Sequence, residues 1–518
     1  MTKKIPSQVI EVLQKIEEQN FEAYIVGGCV RDLIMDKIPN DWDVTTNATP
    51  EKIQEIFPDN FYENNFGTVG VKVEKFTEGE GEHASTRGDD HSSTRGGHDV
   101  VEVTTYRIES KYSDKRRPDE VAFAKTLQED LSRRDFTMNA LALQITNYKK
   151  QDTKKTQISN LKSQNLDYTI VDLYNGQNDI EQKIIRTVGD AEERFDEDAL
   201  RMMRAIRFHS QLGFAIEEKT LQAIKKFAGH MQHISQERIK DELVKIILSD
   251  NPAEGIEMLH ETGILQFVIP ELESGVGIAQ NRHHIHTIYR HCVLALQFCP
   301  SKKLEVRLVS LLHDIAKPQT KRGEGEFATF YNHDHVGARV ARKILQRLRF
   351  SNEIIEKVSM LVDNHMFYYN PEEVGESSVR RLIQKVGLEN MKDLIDVRIA
   401  DRLGSGTPKA KPYKLRHLEY MIDKLSQDAV SVKMLKINGR DLMQDLLMTP
   451  GPKIGAILDV LLSEVIEDSA KNEKEFLLTR AKELDQEDLQ KLREMAKERI
   501  EEKKEEDDKE IRDKYWVK

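Results

Sequence analysis

PNDWDVTT, from Pro39 to Thr46, places Asp41 and Asp43 two apart in a stretch of β-branched and aromatic residues. Such a stretch reads as a strand, and residues i and i+2 of a strand point to one side. Two carboxylates on one side repel, so a cation is expected beside them. The flanking sequence sets this strand in a small α/β unit. Residues 7–20 carry apolar positions at helical spacing, with Ser7 as N-cap. AYIVGG then reads as a buried strand ending in a glycine turn, and VRDLIM as the start of a helix. Downstream, TPEKIQEIF reads as a helix with Thr49 as N-cap and Pro50 at its first position. TVGVKVEKF and DVVEVTTYRI read as two paired strands, and residues 77–98 between them read as a disordered hairpin extension rich in Gly, Ser and charge. A second polar insertion covers 148–166, and from about residue 190 the pattern is almost entirely helical, ending in a charged, solvated helix. The fold class expected is α+β: a head with a small mixed sheet, then a long all-α body.

The bulk properties bound what such a chain does. Its 518 residues predict several domains. A formal net charge of −11 excludes a globally basic nucleic-acid binder and confines any RNA site to local patches. Cys29, Cys292 and Cys299 show no paired metal-ligand spacing and fit a reducing cytoplasm. The start, MTKKIPSQVIEVLQ, lacks the apolar core of a signal peptide, and no run reaches the length of a membrane span. A soluble, cytoplasmic, multidomain protein is expected.

A divalent ion shared by Asp41 and Asp43 would remove their repulsion. It would also suit in-line displacement at phosphorus, where ions stabilise the attacking and leaving oxygens. A DxD pair by itself is more simply one solvent-facing and one turn-capping residue. Its surroundings argue for the metal. In VGGCVRD, Val26 to Asp32, Gly27 and Gly28 end a strand before a helix, so their backbone can approach a triphosphate. Glu102, in VVEVTTYR, is placed as a third carboxylate or as an outward-facing strand residue.

The segments YIVGGCVRD, NDWDVTT, RRDFTMNALA, DLYNGQNDIEQKIIRTVGD, EDALRMMRAIRFHSQLGF and SQERIKDEL occur in this order over roughly residues 20–245. Together they resemble the class II tRNA nucleotidyltransferase and bacterial poly(A) polymerase family. The resemblance implies a polymerase-β-like nucleotidyltransferase head and a helical neck, body and tail. It also implies template-independent addition of nucleotides to an RNA 3′ end, with CTP, ATP and a tRNA 3′ end as partners. By the same resemblance Asp41 and Asp43 hold Mg²⁺, with Glu102 as third acid, and Gly27, Gly28 and Arg31 hold the triphosphate. Arg133, Arg134, Asp135 and Asn139 contact nucleotide sugar and phosphate. The segment YSDKRRPDEVAFAKTLQEDLSRRD, which CC-only members lack, argues against a CC-only enzyme. Poly(A) synthesis and A-only addition stay open as alternatives.

DEDALRMMRAIRF, Asp196 to Phe208, reads as one helix in which Asp198 and Arg201 share a face and Arg204 extends the row. The bland reading is a surface ion pair worth about 0.2–0.5 kcal/mol. The chemical reading is base selection. Cytosine and adenine each present an amine donor beside a ring-nitrogen acceptor, which a carboxylate and a guanidinium match. Uracil and guanine reverse both signs. The resemblance assigns this selecting role to the matching element.

Residues 283–401 carry a different constellation. His286 and His291 precede LVSLLHDIAKP, and YNHDHVGA, VDNHM and RIADRLG follow. Imidazole and carboxylate ligands suit a catalytic metal with an open position for water. The order resembles the HD phosphohydrolase domain. That resemblance implies His291, His313, Asp314 and Asp401 as core ligands of a transition metal or Mg²⁺, with His333 and His365 as accessory ligands. A chain that is chiefly an HD hydrolase with an RNA-binding head is the alternative of another class. The expected division is a catalytic head at 1–148, a helical neck and body at 167–270, an HD domain at 271–410 and an RNA-binding helical tail at 411–518. Basic clusters at Lys111, Lys115, Arg116 and Arg117, and at Lys409, Lys411, Lys414 and Arg416, are candidate phosphate contacts.

Overall fold

The computed structural model describes residues 5–62, 67–76, 98–110, 120–147, 167–281, 285–407, 409–427 and 435–517. The chain forms two compact units. The first comprises Met1–Ile278, Thr287–Gln297 and Arg342–Ile355, and the second Ala279–His286, Phe298–Ala341 and Glu356–Lys518.

The first unit is built on a seven-stranded mixed sheet. Its strands are β1 (Ala23–Val26), β2 (Trp42–Thr46), β3 (Asn60–Tyr62), β4 (Thr68–Val73), β5 (Asp99–Thr105), β8 (Leu141–Asn147) and β9 (Asp167–Asp172), in the spatial order β3-β4-β5-β2-β1-β8-β9. β6 (Arg107–Ser110) and β7 (Glu120–Phe123) form a separate antiparallel pair. Within the seven-stranded sheet β2 and β5 pair in parallel and the other described neighbours are antiparallel. Helix α1 (Ser7–Glu18) buries Val9, Val12, Leu13 and Ile16, the one-face spacing seen in the sequence. Its N-cap is Pro6 rather than Ser7, because Pro6 carries the extended backbone that precedes the first turn. Helix α2 (Gly28–Ile34) follows the glycine turn, and α3 (Pro50–Ile56) is capped by Thr49, whose side chain accepts from Lys52 N, as expected.

β9 corrects the expected start of an all-helical body at residue 167. It pairs with β8 from Leu141 to Asn147, so the sheet takes its edge strand from beyond residue 148. The insertions at 77–97 and 148–166 and the basic cluster at 111–117 lie outside the described residues. Helix α4 (Leu127–Ser132) lies within the head; after β9 the unit is mainly helical, with α5 (Gly176–Gln182), α6 (Ala191–Glu197), α7 (Leu200–Leu212), α8 (Glu218–Phe227) and α9 (Gln236–Ile247), and a short parallel pair of β10 (Ile184–Ile185) and β11 (Ala215–Ile216). The second unit is helical throughout its described regular elements apart from an isolated bridge between Arg322 and Thr329. Its last helix, Leu489–Tyr515, is not simply solvated. Lys514 pairs with Asp423 at 2.7 Å, and Ile511 is buried. No described helix is long and apolar enough to cross a membrane.

Candidate nucleotidyl-transfer site

Asp43 lies on β2 and Asp41 in the bend just before it, so only one of the pair is in the strand. Asp41 is exposed and Asp43 half-buried. Burial, reinforced by the charge of Asp41, pushes the Asp43 carboxyl up to about 6, although Arg134 opposes the shift. Glu102 on β5 is the parallel partner of Asp43, so the two acids sit side by side on one face, Glu102 being exposed. This set of oxygen donors fits a divalent metal.

The glycine turn lies against this group. Gly27 has φ +85°, and a Cβ there would sit 2.9 Å from Arg134 Nη1 and 3.7 Å from Asp43 Oδ2. A side chain is thus excluded by both backbone strain and the arginine. Gly28 opens α2, which carries Arg31 into a largely buried position. Arg31 donates from Nη1 to Asn139 Oδ1 at 2.8 Å and pairs with Asp32 at 2.7 Å.

From Asn139 a chain of bonds runs to the helices beyond the sheet. Asn139 Nδ2 donates to Asp135 Oδ1 at 3.2 Å, and Arg204 Nε donates to Asp135 Oδ2 at 2.7 Å. Burial alone would raise the Asp135 carboxyl. The Arg204 guanidinium and the Asn139 bond outweigh it and hold the carboxyl down at about 2. Arg31, Asn139, Asp135 and Arg204, selected from separate motifs, therefore form one continuous polar network.

DEDALRMMRAIRF is not one helix. Asp198 has φ −136° and ψ 103° and separates α6 from α7. The reason is local: its Oδ1 accepts from Leu200 N at 3.1 Å, and an aspartate favours such a capping role over a mid-helix position. The expected single row is also absent. Asp198 pairs with Arg238 of α9 at 2.8 Å, Arg201 with Glu197 at 2.8 Å, and Arg204 with Asp135. Arg201 Nη2 also donates to Arg133 O at 3.2 Å, which ties α7 to the head. Glu197 and Arg238 were not selected from sequence, although Arg238 stands in the quoted SQERIKDEL segment.

In the second unit, Asp314, His333 and His365 bring their ligand atoms within 4.8 Å of one another, all three residues buried. Asp314 Oδ1 lies 3.3 Å from His333 Nε2 and 3.7 Å from His365 Nε2, while Oδ2 lies 3.3 Å from His313 Nε2 and 2.6 Å from Lys317 Nζ. The Nδ1 atoms of His313, His333 and His365 face the carbonyls of Ser310, Phe330 and Val362 at 2.9, 2.7 and 2.7 Å. A carbonyl only accepts, so each Nδ1 carries a proton, and in the neutral ring Nε2 is the nitrogen that would ligate a metal. The Nε2 atoms of His333 and His365 are buried and make no hydrogen bond among the described residues. This donor set fits a metal ion. Asp401 Oδ1 is 3.9 Å from His313 Nε2, and its Oδ2 pairs with Arg398 at 2.6 Å. His291 is fully buried on the helix Ile288–Gln297, which belongs to the first unit. Of the second basic cluster, Lys411 pairs with Glu419 at 2.7 Å, and Arg416 donates to the carbonyls of Tyr515 and Trp516 at 3.2 and 3.1 Å.

A mixed sheet that sets paired acids beside a glycine turn and an arginine-rich network defines a nucleotidyltransferase, and family comparison agrees. Residues 23–186 match the poly A polymerase head domain, 213–275 the probable RNA and SrmB-binding site of polymerase A, and 326–481 the putative domain 2 of tRNA nucleotidyltransferase. The chain is 33% identical over 498 residues to the CCA-adding enzyme of Enterococcus faecalis, covering 92% of this chain and 97% of that one. It is 32% identical to that of Ligilactobacillus salivarius, over 92% and 96% of the two chains. Among solved structures, the Bacillus stearothermophilus CCA-adding enzyme in complex with CTP superposes with a TM-score of 0.56 at 26% identity, over 93% and 97%. The chain belongs to the CCA-adding enzyme family, whose nucleotidyl transfer uses divalent metal.

Proposed function

We propose that this protein adds C, C and A to the 3′ end of tRNA from CTP and ATP, without a nucleic-acid template, in the cytoplasm. The observation that carries the reading is the near full-length match to CCA-adding enzymes, in a chain that carries the acid pair and both Asp198 and Arg201. Asp41 and Asp43, with Glu102, would hold Mg²⁺, which when bound supplies charge stabilisation at the reacting phosphate. Gly27, Gly28 and Arg31 receive the triphosphate, and Arg133, Arg134, Asp135 and Asn139 place sugar and phosphate. Asp198 accepts from the exocyclic amine of cytosine or adenine, and Arg201 donates to the ring nitrogen. In the structure the Asp198 carboxylate is paired with Arg238 and the Arg201 guanidinium with Glu197, so base reading would have to share or displace these partners. Against U or G both groups face like partners, which supports discrimination of roughly 10⁴ or more.

The test is incubation with tRNA lacking CCA, tRNA lacking only A, and an unrelated RNA, each with CTP, ATP or both, followed by sequencing of the ends. Completion of CCA on both tRNAs and no tail on the unrelated RNA is expected. A-tails on the unrelated RNA would instead establish poly(A) synthesis. Arg201→Ala should relax the preference for CTP and ATP over UTP and GTP; an unchanged preference removes the edge-reading role.

A second activity rests on the tautomers fixed in the second unit. His313, Asp314, His333, His365 and Asp401 would hold a divalent ion that activates water toward phosphomonoesters or 2′,3′-cyclic phosphates. The division into head, neck, HD-like domain and tail follows the same reading.

A further inference from the structure

Asp130 is a fully buried carboxylate that the reading above gives no role, and it lies beneath the nucleotide-binding arginines. Helix α4 starts with a capping box formed by Thr126 and Glu129, which fixes the direction in which its last turn points. Asp130 sits three and four residues before Arg133 and Arg134, the spacing at which side chains on a helix meet. Its Oδ1 accepts from Arg133 Nε at 3.0 Å and Nη2 at 2.7 Å, a forked pair. Its Oδ2 accepts from Arg134 Nη2 at 3.3 Å and from the Thr45 hydroxyl at 3.4 Å. Arg107 N, at the base of the β6–β7 pair, donates to Oδ1 at 3.4 Å. One carboxylate thus joins α4, the strand of Asp43 and the foot of a hairpin.

Arg134 is shared between two ends. Its Nη2 is on Asp130, while its Nη1 lies over Gly27, on the side of the turn that faces Asp43. A guanidinium released from Asp130 would have a closer partner in Asp43, where it would compete with a divalent ion. We propose that Asp130 is the positioning residue of the head: it anchors Arg133 and Arg134 and keeps Arg134 over the glycine turn, aimed at the incoming triphosphate rather than collapsed onto Asp43. One buried acid against two arginines leaves positive charge for phosphate. Because phosphate is common to both nucleotides, the effect is blind to the base. The inference rests on the reading of Arg133 and Arg134 as nucleotide ligands.

The experiment titrates full-length protein with CTP and with ATP in Mg²⁺ without tRNA, so that binding is read apart from turnover. Asp130→Asn should raise both dissociation constants by the same factor, about tenfold for a weakened charge-assisted pair. It should also raise the Mg²⁺ concentration for half-maximal binding and leave the CTP-to-ATP ratio unchanged. Arg134→Ala is the control for the underlying reading: unchanged affinities in that variant would remove Arg134 from the nucleotide site. If Arg134→Ala weakens binding while folded Asp130→Asn binds both nucleotides as the parent does, the positioning role is overturned. The double variant should lose less than the product of the single losses, because Asp130 acts through the arginine; a full product also overturns it. Should Asp130→Asn not fold, Asp130→Glu keeps the charge but shifts it by a methylene. Weakened binding of both nucleotides is then expected, and parental affinity would refute the proposal.

Discussion

At the scale of single residues, the site is governed by which acids are paired within the protein and which are left for a ligand. Asp43 is raised to about 6 by burial and the nearby Asp41, whereas Asp135 is held at about 2 by Arg204 despite its burial. Asp135 therefore contributes stability, and its pH dependence has a definite sign. Its folded value lies below its ordinary 3.8, so its contribution is fully present above about pH 4 and is lost as pH falls towards 2. Asp135→Asn should lower the urea midpoint clearly at pH 7, and the gap to the parent should narrow at pH 3. A gap independent of pH would mean that the charge of Asp135 contributes nothing. Both acids were visible in the sequence, but their opposite fates were not. Arg204 lies 69 residues from Asp135, and nothing local couples them.

At the scale of elements, the placement of the network depends on two short pieces meeting closely. The 3₁₀ turn Thr137–Asn139 carries Asn139, and α5 begins against it at Gly176. A Cβ on Gly176 would stand 2.2 Å from Thr137 O and 2.8 Å from Thr137 C, and backbone cannot swing aside as a side chain can. Thr137 also donates its hydroxyl to the buried Asp179 of α5 at 2.6 Å, which locks the two pieces. Gly176→Ala should cost about 2 kcal/mol or more by forced repacking and should weaken CTP binding. Gly213→Ala is the contrast. There φ is +67° with nothing within 4 Å, so about 1 kcal/mol of backbone strain is expected with CTP affinity intact. Denaturant unfolding and CTP titration of both variants check the pair; equal effects on CTP binding would reject the contact argument. Elements whose signals are local were legible: the glycine turn, β2, the Thr49 cap and the β4–β5 pair all stand where periodicity and capping put them. The break at Asp198 and the edge strand β9 were not. The first is a contest between capping and helix continuation within a strongly helical pattern. The second depends on pairing across an insertion that carries no structural signal of its own.

At the scale of the molecule, two ligand groups are built by different means in different units. In the head, exposed or half-buried acids flank a glycine turn, an open arrangement in which a bound metal would exchange with solvent. In the second unit, Asp314, His333 and His365 are buried, and backbone carbonyls engage the Nδ1 atoms so that the Nε2 atoms are turned towards Asp314. A preformed buried site holds its ion through dilution, whereas the head should release it. Two variants separate these cases. Asp314→Ala removes the carboxylate that His333 and His365 both face, and it also strips Lys317 of its 2.6 Å partner. After desalting, the parent should retain a divalent ion by elemental analysis and release phosphate from nucleotide 2′- or 3′-monophosphates. Asp314→Ala should lose both while completing CCA on truncated tRNA within about twofold of the parent, since sites that share no residue act independently. Asp43→Asn should do the reverse, with CCA addition lost and retained metal and phosphatase activity unchanged. The breaking of a buried charge pair destabilises its own surroundings, so the unfolding midpoint of Asp314→Ala should also fall. A parent protein that keeps no ion after desalting would remove the second unit's metal site. Loss of CCA addition in a folded Asp314→Ala variant would show that the two groups do not work apart.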